Sequence, residues 1–392
     1  MKSSDKLFGK ILGVLFFYLF ASLPLTAQIT GWGYEYQGEI PIYIDSLQSR
    51  LTYPLAYRNK DVATSNEEWR KEAQAKVWEC MGVLPPRPES WDMEVLAEEQ
   101  RDGYKAQQIE FSLSKWYRVK AYLLIPDGKG KHPAVNVLHD HGAHLTIGKE
   151  KVIRPFAVDS AIVRDADEWV AQLYDGQYLG DYLATHGYVV FSTDMPLWGE
   201  RGRKEGADRK KYDIIAGNMM MAGVNLCAFT HADDVVATDF LASLPFVDKE
   251  RIGAAGLSIG SYRAWMLAAL NYKVKAACCD CWMITTEAQL TRKYGRKENG
   301  GFANAIPGLR NWLDYPDIAS LVAPRYMLFI AGKKDKLFPV PGVEKAFSIM
   351  HDVWKGWGAD GKLQTLLLDQ GHECNKENQR VMLEFLDKAL KK

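Results

Sequence analysis

Gly256-Leu257-Ser258-Ile259-Gly260 sets a serine between glycines at minus two and plus two. Arg251–Ala255 before it reads as a short buried strand, and Tyr262–Leu270 after it reads as a helix. A serine on a strand-to-helix turn this tight has only small neighbours, and the turn lifts its Oγ clear of the sheet as an exposed nucleophile. The backbone N–H of Ile259, one residue on, then faces the carbonyl under attack.

Such a serine is inert without a base and a group to orient that base, and the chain offers both in order. Tyr326–Gly332 reads as an apolar strand, and Asp335 follows it. Leu363–Leu368 reads as the last strand, followed by His372 and by a C-terminal helix starting near Asn375. Both residues fall on loops at the carboxyl ends of consecutive strands, where open α/β sheets gather their active sites. The chemistry expected is acyl transfer: His372 takes the Ser258 proton, and Asp335 fixes the imidazole tautomer and stabilises the imidazolium. Asp280, in Cys278-Cys279-Asp280-Cys281 at the end of the preceding strand, is a rival for the acid.

A second oxyanion donor is expected on the loop after an earlier strand. Ala134–Leu138 is that strand, and His139-Asp140-His141-Gly142-Ala143-His144 is the loop. The N–H of Gly142 or Ala143 is the candidate donor, because glycine lets backbone approach a ligand closely. The histidines here also invite a metal reading, but no second group of ligands at metal spacing accompanies them, so no metal is expected.

The order His-x-His-Gly, then Asp194–Arg201, then Gly-x-Ser-x-Gly, then Asp335, then Gly371-His372 resembles the dienelactone hydrolase-like branch of the α/β-hydrolases. Within it, the chain is most similar to secreted acetyl xylan esterase-like proteins of Bacteroidetes, from about Trp91 to the C-terminus. The resemblance implies a serine carbohydrate esterase that needs no metal or organic cofactor. Glu200-Arg201-Gly202-Arg203 stands where such esterases carry an Arg-Gly-Gln signature, without the glutamine. A neighbouring set of similar hydrolases removes methyl esters from pectin.

The elements that must position these residues form an α/β fold: a mostly parallel central sheet whose first strands are antiparallel, with helices on both faces. Met93–Glu98, Ala106–Leu113 and Val119–Pro126 read as the first strands, and strands alternate with helices after Ala134. Residues 1–27 read as a signal peptide: Lys2, Lys6 and Lys10, an apolar run from Ile11 to Phe20, then Leu25-Thr26-Ala27 before Gln28. The mature chain is therefore expected to be secreted or periplasmic. Residues 28–90 read as a helical extension whose helix, Asn66 to about Gly82, packs through Trp69, Ala73, Val77 and Met81; residues 91–392 form the catalytic domain. The chain has 49 basic and 49 acidic residues, so no global field recruits nucleic acid or membrane. Export would allow disulfides among its six cysteines, with no connectivity legible; Cys278, Cys279 and Cys281, where Cys278 and Cys281 are spaced C-x-x-C in a strand-like run, read as small buried residues.

Two loops, from Gly148 to about Glu168 and from Trp198 to about Gly217, read as long enough to shape specificity. Arg201, Arg203, Lys204, Arg209, Lys210 and Lys211 on the second, with Arg292–Lys297 further on, offer guanidinium forks for uronate carboxylates. Trp198, Trp282 and Trp312 offer faces for sugar rings, so Arg201, Trp198 and Trp282 are the candidate substrate-binding residues. The expected partner is an ester-bearing polysaccharide or oligosaccharide. A serine peptidase of similar fold is a rival, but no run of blade repeats precedes the domain. A non-catalytic binding protein is another, and the presence of Ser258, Asp335 and His372 together argues against it.

Overall fold

Nine strands carry the site: β1 (Glu94–Arg101), β2 (Tyr104–Ser114), β3 (Tyr117–Pro126), β4 (His132–Leu138), β5 (Val189–Thr193), β6 (Val247–Leu257), β7 (Val274–Asp280), β8 (Tyr326–Gly332) and β9 (Leu363–Leu368). They form one sheet in the order β1-β2-β3-β5-β4-β6-β7-β8-β9. The β1–β2, β2–β3 and β3–β5 pairs are antiparallel, and every pair from β5–β4 onward is parallel. This is the α/β architecture with antiparallel first strands that the sequence predicts. The computed structural model describes residues 46–142, 144–202, 209–290 and 301–391. Residues 1–27, expected as a leader, Ala143, Arg203, Lys204 and the basic run 292–297 lie outside the described residues, as do the side chains of Arg209, Lys210 and Lys211. No described helix is long and apolar enough to cross a membrane.

Successive strand residues point to opposite faces, and the chain uses both. Leu138, Ala254, Cys279 and Met327 face one layer; their sequence neighbours Val137, Ala255, Cys278 and Leu328 face the other. Helices α1 (Asn66–Met81), α2 (Ser160–Leu173), α3 (Leu179–Thr185), α4 (Arg209–Met221), α5 (Leu226–Ser243), α6 (Ile259–Leu270), α7 (Val340–Gly356) and α8 (Lys376–Leu390) complete the layers. The first face takes apolar residues of α5, α6 and α7, and the second those of α2, α3 and α8. A sheet covered on both sides accounts for the near-continuous apolar runs of β6, β7 and β8.

Helix α1 starts at a capping box, with Ser65 accepting from Glu68 N and the Glu68 carboxylate accepting from Ser65 N. Such a cap contributes about 1 kcal/mol. Trp69, Ala73, Val77 and Met81 are buried in the same apolar cluster as α6 and α7.

The two long loops are less irregular than the sequence predicts. Asp159 accepts a hydrogen bond from Ala161 N at 2.7 Å and opens α2 at Ser160, inside the first loop. Ala166 and Val170 of α2 face the core, while Asp167 and Glu168 stay on the water side. The second loop gives way to α4 at Arg209. Helix α4 opens on the charged run Arg209-Lys210-Lys211, which reads as a loop in the sequence.

Candidate active site

Ser258 sits at φ 57° and ψ −123°, between the end of β6 and the first turn of α6. A non-glycine residue held there costs on the order of 1–3 kcal/mol, which the surrounding contacts must offset. The flanking glycines are sterically required. A Cβ on Gly256 would lie 2.5 Å from the Gly260 carbonyl carbon, and one on Gly260 would lie 2.0 Å from Leu138 O. The Ser258 N–H donates to Asp280 O at 2.8 Å, tying the turn to the end of β7. Ile259 N is the first helical N–H of α6 and has no acceptor within the helix.

The acid and the imidazole meet directly. His372 Nδ1 lies 2.7 Å from Asp335 Oδ2, and the other carboxylate oxygen accepts from Leu337 N at 2.8 Å. The Asp335 side chain is 1% exposed and that of His372 21%, so the pair is sheltered while the ring keeps an open edge. Burial works against the imidazolium, but the Asp335 carboxylate, with Asp280 and Asp140 further off, outweighs it and raises the His372 pKa. The Phe338 ring lies nearly parallel to the imidazole, 15° between planes.

The loop bearing His372 reaches back over β8 toward the serine. Asn378 Nδ2, in the first turn of α8, donates to Glu373 O at 3.2 Å and to Asp280 Oδ2 at 2.9 Å. Cys281 Sγ lies 3.8 Å from both Gly371 O and Glu373 O. Asp280 at the end of β7 and Cys281 just after it thus touch the Ser258 turn on one side and the His372 loop on the other. Asp280 does not hold the imidazole: its carboxyl is fully buried, bonded by Asn378 and by Cys281 Sγ at 3.2 Å, and burial pushes its pKa up to about 7. Geometry therefore favours Asp335 as the orienting acid.

The loop after β4 lies beside the serine turn, because Leu138 pairs with Gly256 in the β4–β6 register. Gly142 has φ 58°, and a Cβ there would meet the Trp169 ring at 2.2 Å. The histidines of this loop are tied up separately. His139 Nε2 accepts from Met195 N at 2.9 Å while Nδ1 donates to Asp140 O at 2.8 Å; burial keeps the ring neutral. His141 packs edge-on against Trp198, and His144 stacks on Trp169 and bonds Asp165.

Arg201, Trp198 and Trp282, the residues expected to bind substrate, are each engaged inside the protein. Arg201 pairs with Asp233 at 2.7 Å and donates to Asp194 O at 3.1 Å, so its fork is already filled. Trp198 is 1% exposed and donates to His141 O at 3.0 Å. Trp282 is 3% exposed, stacked on Tyr262 and packed against Phe338. Both indoles are walls behind the site, with no face left for a sugar. Trp312 lies under Lys76 of α1, 4.3 Å from ring to ammonium.

One group escaped the sequence altogether. Lys149 Nζ lies 2.8 Å from Glu150 Oε1, 2.9 Å from Asp194 Oδ2 and 2.7 Å from Glu200 Oε2, with the lysine fully buried. Burial disfavours the ammonium, and the carboxylates outweigh it and keep Lys149 charged. The three acids have the spacing of a metal site, but the lysine ammonium fills its centre. Nothing in Gly148-Lys149-Glu150-Lys151 announces burial, since such a run usually faces water.

The sequence profile of the Abhydrolase family matches residues 43–353. A protein of Bacillus subtilis (strain 168) named as a hydrolase, YtaP, is 27% identical over 322 residues, covering 82% of this chain and all of its own. A Bacteroides fragilis protein described as an acetyl xylan esterase superposes with a TM-score of 0.64 at 18% identity, over 83% of this chain and 81% of its own. A glucuronoyl esterase from Solibacter usitatus does so with a TM-score of 0.60 at 16% identity, over 87% and 97%. At such identities the likeness to solved structures speaks for the fold.

Proposed function

Given that this chain belongs to the Abhydrolase family, and is therefore a hydrolase, we propose that it is an exported serine esterase removing acetyl groups from plant polysaccharide. The observation that carries the reading is the 2.7 Å Asp335–His372 bond on the strand ends beside a Ser258 held at φ 57°. In the proposed cycle His372 Nε2 removes the Ser258 proton as Oγ bonds to the ester carbonyl carbon. The N–H groups of Ile259 and Gly142 receive the oxyanion. The C–O bond to the sugar breaks, the alcohol leaves with the proton from His372, and water then releases the acid by the same steps. Residues 28–90 serve as an extension and residues 91–392 as the catalytic domain.

Acetyl esters are preferred over uronate methyl esters because the Arg201 fork is occupied by Asp233. Acetylated xylan, methylated pectin and a chromogenic acetate, assayed side by side, test this choice. Acetate release from xylan should exceed methanol release from pectin. The reverse order would replace the acetyl reading with the methyl one. The names of the two esterases of like fold agree with a carbohydrate ester as substrate. Cleavage of the leader should leave Gln28 as the first residue of the exported protein, read by mass spectrometry.

The pH dependence has a definite sign. His372 must be neutral to accept a proton, and its pKa is raised above 6.5. Activity should therefore be lost as pH falls through that raised value, with the acid limb of kcat/KM lying above 6.5. An acid limb below that of a free imidazole would contradict the Asp335–His372 pairing.

A further inference from the structure

The peptide between His141 and Gly142 is held from behind by a buried cation. Its carbonyl oxygen accepts from Lys151 Nζ at 2.9 Å and from Trp198 Nε1 at 3.0 Å. Lys151 is fully buried; burial lowers its pKa from the ordinary lysine value, and the Asp140 carboxylate opposes that shift in favour of the ammonium. Its ammonium also donates to Asp140 O at 3.2 Å, lies 3.6 Å from Asp140 Oδ1 and sits over the Trp169 ring at 5.0 Å. Asp140 is held in turn, its Oδ2 accepting from Tyr174 OH at 2.7 Å and from Trp169 Nε1 at 3.2 Å. Each of these side chains fixes the loop from its buried side.

The geometry of the amide then sets where its N–H points. The cis peptide in the described residues is Ala323–Pro324, so the His141–Gly142 bond is trans. In a trans peptide the C=O and N–H point in opposite directions. With the carbonyl fixed on Lys151 and Trp198, the Gly142 N–H faces away from the buried side, and it has no acceptor among the described residues. Gly142 itself is exposed, on the loop that the β4–β6 register lays beside the Ser258 turn. A cation bonded to the carbonyl also polarises the amide, which makes its N–H a stronger donor.

We propose that Lys151 is a positioning residue for the oxyanion: its buried ammonium, assisted by the Trp198 indole, orients and polarises the His141–Gly142 peptide so that Gly142 N–H meets the charge developing on the ester oxygen. This rests on the serine esterase reading above. It assigns a role to a lysine that neither touches the ester nor shares a loop with Ser258, Asp335 or His372.

A matched pair of substrates separates this role from simple support of the fold: a chromogenic acetate and its thionoacetate, in which sulfur replaces the carbonyl oxygen. Sulfur is larger and a weaker acceptor, so oriented N–H donors favour the oxygen ester. Removing one oxyanion donor outright costs roughly 10²–10³-fold, so Lys151→Met, which weakens a donor without deleting it, should slow the oxygen ester by about 10–100-fold. The thiono ester should slow far less, narrowing the oxygen-to-sulfur rate ratio by about tenfold, with KM little changed. Trp198→Phe, which removes one indole donor and keeps the ring packing, should narrow the ratio in the same direction by a smaller factor. Equal slowing of both substrates in Lys151→Met overturns the proposal. If that variant does not fold, an unchanged ratio in Trp198→Phe overturns it. The Ser258→Ala protein distinguishes the two levels: full activity there defeats the serine reading itself, whereas an inactive Ser258→Ala with an unchanged ratio defeats only the role of Lys151.

Discussion

Ser258→Ala should lower kcat on a chromogenic acetate by roughly 10⁵–10⁶-fold, in a protein that melts where the wild type does. The size follows from what one atom does. Without Oγ there is no acyl-enzyme, and the remaining rate is what binding and the oxyanion donors supply to direct attack by water. The fold should tolerate the change because alanine and serine meet the same strain at φ 57°, ψ −123°. Ser258→Gly should be equally inactive and no less stable, since glycine accepts that backbone without penalty. Activity and melting temperature, measured on both variants, check the prediction together. Turnover near wild type in a folded Ser258→Ala protein would sink the nucleophile assignment.

Asp335→Asn should cost on the order of 10⁴-fold, because an amide opposite Nδ1 favours the wrong tautomer and leaves the imidazolium uncompensated. Asp280→Asn should cost less than about tenfold, well below any triad loss. Its carboxyl is buried, its pKa is pushed up to about 7, and Asn378 and Cys281 hold it, so an amide of the same shape keeps most of its contacts. The pH profile adds an independent readout. In Asp335→Asn the acid limb should move down, because the main group that raises the His372 pKa has gone. Inactivity confined to the Asp280 variant would place the acid on β7.

Much of this arrangement is legible in the residues alone. Strands β8 and β9 run over Tyr326–Gly332 and Leu363–Leu368, as their apolar runs between turn residues predict; β8 is buried in the sheet, and β9 is its half-buried edge. Helix α1 has its cap at Ser65 and buries the four residues that its period predicts. The loops were not legible to the same degree, and the reason is local. Lys149 is buried because two of its partners, Asp194 and Glu200, arrive from some distance along the chain, and no short window of sequence contains both halves. Trp198 and Trp282 mislead in the same way. An indole on a loop reads as a sugar platform until the loop folds and covers both of its faces. The contacts of Cys281 and Asn378 with the His372 loop gave no signal either, since they are made to backbone carbonyls.

The ammonium that Lys149 places among Glu150, Asp194 and Glu200 does the work a divalent ion does elsewhere, joining Gly148–Lys151 to Asp194–Glu200. Because that cation is covalently part of the chain, it cannot be chelated, exchanged or diluted away. The order of these two segments is then independent of the free divalent concentration around the protein.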